Sequence, residues 1–99
     1  MVSDRNKVAF ISCVNDEDMY NECCLYLKSL HVPNGMSVEY IPVRGAVSMC
    51  AGYNEGARTT NAKYKVYLHQ DVLVVNKNLI ADLLSIFRDE TVGLVGVIG

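Results

Sequence analysis

Charge is scarce in this sequence: Asp, Glu, Lys and Arg make up 20% of its 99 residues, nine basic against eleven acidic, for a net charge of −2. Neither sign gathers into a run, so the basic stripe that follows a phosphate backbone is missing and nucleic acid is not an expected partner. Long apolar runs are missing as well. Stretches such as Val72–Val75 and Leu79–Ala81 fall far short of the roughly 20 residues that span a bilayer, so no transmembrane segment is expected. The charged start, Met1–Lys7, leads into an apolar stretch with no small-residue cleavage site, and a cytoplasmic location is therefore expected. The four cysteines, Cys13, Cys23, Cys24 and Cys50, include no Cys-x-x-Cys pair, which argues against a structural zinc site and for reduced, mostly buried thiols. Repeats, low-complexity tracts and interior linkers are also absent, so residues 1–99 read as a single domain.

What is present is a folding composition, 51% hydrophobic, in a chain long enough to bury roughly 65% of its unfolded surface. Lys7–Val14 is an unbroken apolar run of strand length, rich in β-branched residues, as a strand covered on both faces requires. Asn15–Asp18 then offers capping oxygens and first-turn acids, followed by Tyr20, Cys23, Cys24, Leu27 and Leu30 at helical spacing. Val32-Pro33-Asn34-Gly35 ends that helix in a turn, and a second strand follows near Ser37–Val43. Ser48 is placed to cap a short helix carrying Met49, Tyr53 and Ala57, which Gly52 and Gly56 weaken. A third strand, Tyr64–Leu68, runs straight into His69-Gln70-Asp71. Asn76 is expected to cap a helix with an apolar stripe of Ile80, Leu83, Leu84 and Phe87, and Val92–Ile98 is a final strand.

The order β-α-β-α-β-α-β demands parallel pairing with right-handed crossovers, and so predicts an α/β sheet with helices on both faces. The chain stops on its last apolar strand, which reads as a domain incomplete at its C-terminal end, or as a strand edge that pairs with a second copy in a homo-oligomer. Ligands of such sheets bind beyond the carboxyl ends of the strands, near the point where strand order reverses. That rule selects residues 13–18, 43–48 and 69–71. Within the third loop, Asp71 offers a hard oxygen suited to Mg²⁺ or Mn²⁺ on a phosphate substrate, against the plainer reading of a turn residue. A flavodoxin-like site is disfavoured, because no glycine-rich loop follows the first strand and its acids would repel phosphate. His31 reads as a helix-terminal surface residue, favoured there by the helix dipole.

Ala51-Gly-Tyr-Asn54-Glu-Gly56-Ala57, followed by Ala62-Lys-Tyr64-Lys-Val-Tyr-Leu68-His69-Gln70-Asp71, resembles the nucleotide-sugar-binding half of the family-two-like GT-A glycosyltransferases. Those enzymes carry an Asn-x-Gly-Ala-type helix and an apolar strand that ends in an Asp-x-Asp motif. The first strand, the acids Asp16–Asp18 and the helix ending near Leu30 look like the family's first βα unit, so the likeness covers residues 7–98. It implies a three-layer, Rossmann-like, mostly parallel sheet and metal-dependent, inverting transfer from a nucleotide-diphosphate sugar to a saccharide acceptor, in polysaccharide or glycoconjugate assembly. By position, Asp71 matches the second Asp and implies a ligand for the Mn²⁺ or Mg²⁺ on the donor diphosphate. His69 replaces the first Asp, as a hydrogen-bond acceptor or second metal ligand, with Gln70 between them. Cys13, Val14 and Asn15 would border the base, and Asn54 the diphosphate. Pro42–Ala46 has no counterpart of the acidic pair that the family places after its second strand. The family's general base lies beyond the Asp-x-Asp strand, so no catalytic residue is assigned and the isolated chain is expected to transfer little sugar. The alternative function is a non-catalytic α/β interaction or regulatory domain of the same fold.

Overall fold

The computed structural model describes residues 4–46, 48–86 and 95–98. Along them run β1 (Asp4–Val14), α1 (Glu17–Lys28), β2 (Ser37–Arg44), α2 (Met49–Arg58), β3 (Ala62–Leu68), α3 (Leu79–Ile86) and β4 (Val95–Ile98). All pairings are parallel, and the sheet order is β2-β1-β3-β4. The α/β class, the alternation of elements and the helices on both faces are as the sequence predicts.

β1 is central because its side chains are apolar on both sides. Val8, Ala9, Phe10 and Ile11 are each no more than 2% exposed. β2 flanks it in register from Lys7↔Ser37 to Val14↔Arg44, and β3 pairs on the other side from Val8↔Tyr64 to Ile11↔Tyr67. Val8, Phe10, Val66 and Leu68 face α1 and α3, meeting Cys23, Leu27, Leu30 and Ile80. Ala9, Ile11 and Val43 face α2, against Tyr53 and Ala57. Each large side chain fully buried in these layers contributes about 1.5–3 kcal/mol.

The Asp16 carboxylate caps α1 by accepting from the Met19 N–H at 3.1 Å, and Glu17 and Asp18 follow in the first turn. Ser48 caps α2 in the same way, accepting from the Ala51 N–H at 3.1 Å. Gly52 and Gly56 do more than weaken that helix. A Cβ on Gly52 would fall on the Cys13 sulfur and one on Gly56 on a methyl of Ile11, so both glycines exist to let α2 lie against β1.

Three expectations shift. Asn76 does not cap α3 directly; its side-chain oxygen accepts from the Asn78 N–H at 3.0 Å, forming a turn that delays the helix to Leu79. β3 begins at Ala62, two residues earlier than its apolar pattern suggests, because Ala62 pairs with Asp4 at the start of β1, and Lys63 is buried there with its ammonium 5.4 Å from the Tyr64 ring. The crossovers are also not all of one hand. The chain steps from β1 to β2 and from β3 to β4 in opposite directions across the sheet, yet α1 and α3 share a face, so these two connections have opposite hands. The right-handed rule holds where a twisted strand feeds its helix closely; here residues 69–78 intervene and carry the chain back over the α1 face. Phe87 and the predicted strand residues 92–94 lie outside the described residues.

Candidate functional site

The reversal of strand order falls between β1 and β3, since β2 lies to one side of β1 and β3 to the other. Their carboxyl ends, residues 13–16 and 69–71, therefore meet. Gln70 joins them. Its carboxamide oxygen accepts from the backbone N–H of Asn15 and of Asp16, each at 3.0 Å, while its NH₂ group donates to the Asn15 side-chain oxygen.

Two depressions open on either side of this junction, and Cys13 and Asn15 line both. Toward β2 lies one of about 250 Å³, walled by Val14, Val43, Gly45, Ala46 and Ser48. Toward β3 lies one of about 270 Å³, walled by Met19, His69, Gln70 and Asp71. The first is lined mainly by apolar atoms, with Asn15 and Ser48 adding polar ones; the second includes the exposed Asp71 and the half-buried His69. Gly45 turns the chain between β2 and α2 with φ of +73°, a conformation that suits glycine and shapes the wall of the first depression.

The electrostatics around the crevice are local. Glu17, in the first turn of α1, takes both Arg44 Nε and Nη2 at 2.8 Å, clasping the end of β2 to the start of α1. The hydrogen bond from Arg44 lowers the Glu17 pKa and that same bond raises the pKa of Arg44. Burial, reinforced by the Glu55 charge, raises the pKa of the Cys13 thiol, so at neutral pH it is a neutral floor to the crevice. Cys23, fully buried on the inner face of α1, is pushed up to about 11 by burial first and then by Cys24 and Asp71.

The structure thus brings together Cys13, Val14, Asn15, His69, Gln70 and Asp71, residues that the sequence singles out. Asn54 is not with them. It lines a separate depression with Arg44, Glu55 and Arg58, behind the Gly45–Ala46 wall. Met19 and the Glu17–Arg44 clasp escaped sequence reasoning. Met19 lies on the helix face adjoining residues 69–71, a placement that only the pairing of β1 with β3 creates. His31, exposed at the far end of α1, donates its backbone N–H to Lys77 at 2.8 Å and takes no part in the crevice.

Among the described residues no group of three or more His, Cys, Asp or Glu side chains could hold a metal ion. Asp71 and His69 line the same depression, and a single carboxylate is what a Mg²⁺ completed by substrate phosphates would take from a protein in place of an all-protein cage.

A parallel α/β sheet with a crevice over the carboxyl ends of its two central strands has the architecture in which open α/β sheets take their ligands. Residues 9–99 match the model of the glycosyltransferase like family, and the chain belongs to it. No curated protein and no solved structure matches the chain. The domain is therefore glycosyltransferase-like, as residues 51–71 suggested. Among the described residues no helix is long and apolar enough to cross a membrane.

Proposed function

We propose that the crevice binds the nucleoside-diphosphate part of a sugar donor, with the base in the depression toward β2 and the diphosphate toward β3 beside Asp71. One observation carries this reading: an apolar depression and a carboxylate-bearing one share the Cys13–Asn15 ridge, the arrangement that a molecule with a flat apolar end and an anionic end requires. Val14, Val43 and Ala46 offer the base an apolar wall, and Asn15 offers polar atoms at its rim. Asp71 cannot receive a diphosphate directly, because like charges repel, so it needs a divalent cation between them. His69 shares that depression and supplies a second ligand nitrogen. When bound, Mg²⁺ or Mn²⁺ neutralises the charge that develops on a leaving diphosphate. The saccharide acceptor and the base that would activate it are assigned to no residue of this chain.

The reading is tested by calorimetric titration of the chain with UDP and with GDP, with and without Mn²⁺. Binding that needs Mn²⁺ is expected. Replacing Asp71→Ala removes a direct ligand and is expected to weaken it by more than the roughly 10–100-fold that loss of an outer-shell partner costs. Equal affinity in Asp71→Ala, or no binding of either nucleotide with Mn²⁺ present, contradicts the proposal.

A further inference from the structure

Gln70 sits in the middle of the polar triplet, yet its polar atoms are turned to the protein. The carboxamide oxygen has two acceptor sites, and the Asn15 and Asp16 N–H groups fill both. One N–H of its NH₂ group goes to the Asn15 side chain. A single side chain thus closes three hydrogen bonds across 54 and 55 residues of sequence, and it does so at the one place where the turn after β1 meets the turn after β3. Asp16 is also the cap of α1. The latch therefore fixes the start of that helix together with Asn15 on the ridge between the two depressions.

We infer that Gln70 is a positioning residue: its carboxamide sets the span between the apolar depression and Asp71 without touching the donor. This rests on the donor-binding reading above, but the latch itself can be measured without a ligand. Backbone N–H groups held by a side chain exchange with solvent more slowly than free ones, and removing the side chain opens only the local unit.

The test compares the wild type with Gln70→Met, of similar length but without the carboxamide, and with Gln70→Ala. Amide hydrogen exchange is followed by NMR at Asn15 and Asp16, and UDP or GDP affinity with Mn²⁺ by calorimetry. Both variants are expected to speed exchange at Asn15 and Asp16 by about tenfold, with buried β1 amides such as those of Phe10 and Ile11 unchanged. Nucleotide affinity should fall in parallel by about tenfold, the effect of roughly 1.4 kcal/mol. Weaker binding with unchanged exchange would mean that Gln70 contacts the donor itself, and would overturn the inference. Faster exchange with unchanged affinity would overturn it too, since the latch would then position nothing. A variant that unfolds is recognised by fast exchange at Phe10 and Ile11, and the milder of the two replacements then decides. If the wild type binds neither nucleotide, the donor reading fails and the positioning role falls with it, while the exchange result still establishes whether the latch exists.

Discussion

Neighbouring residues at the end of β3 divide the work. Asp71 is exposed in the crevice, whereas Gln70 is spent on the turn after β1. Beneath them the buried Cys23 thiol feels the Asp71 charge as one of the causes that push its pKa up to about 11. The sign of the consequence is fixed. The folded chain keeps the Cys23 proton to higher pH than the unfolded chain, so its stabilising contribution is whole below the ordinary thiol range and is lost as pH rises toward about 11. The melting temperature is expected to fall across that alkaline window, and to fall less in Cys23→Val, which is close in size and has no proton to lose. A wild-type melting temperature that stays flat through the window would contradict this account. Residue-level chemistry was partly legible in the sequence. Asp71 stood out because it follows an apolar strand; the task of Gln70 did not, because its partners lie more than fifty positions away.

At the scale of the element, α2 shows how a sequence pattern can be read correctly and explained only in part. Gly52 and Gly56 lower helix propensity, and taken alone they argue for a weak helix. Their place against Cys13 and Ile11 gives the other half: the helix is held by close packing on β1, which a methyl group at either position would prevent. Gly56→Ala is therefore expected to destabilise the chain by about 1–3 kcal/mol, as overpacking does, although alanine is the better helix former. Chemical denaturation would measure it, and a more stable Gly56→Ala variant would show that α2 does not lie against β1 as described. The other elements announced themselves more directly. The run Lys7–Val14 reads as a doubly covered strand and lies within β1, which starts three residues earlier at Asp4, and the caps Asp16 and Ser48 mark the starts of α1 and α2 where their spacing to the apolar residues predicts. The start of α3 was misjudged because Asn76 can either cap a helix or make a turn, and its bond to Asn78 decides for the turn.

For the molecule as a whole, strand order is what turns these parts into a site. Alternating strands and helices told the class of the fold but not that β3 would lie beside β1 instead of β2, nor that α3 would share a face with α1. Those two facts bring residues 13–16 against 69–71 and leave Asn54 behind the Gly45–Ala46 wall. A span from apolar depression to carboxylate, crossing the Cys13–Asn15 ridge, is the central claim. The most direct measurement of it is an NMR titration of the chain with UDP or GDP, first with Mg²⁺ and then with paramagnetic Mn²⁺. Shifts in the resonances of Val14, Asn15, Val43 and Ala46 on adding nucleotide, with Mn²⁺ broadening centred on Asp71 and His69, are the predicted result. Shifts or broadening centred instead on Arg44, Asn54 and Arg58, or none at all, would contradict it.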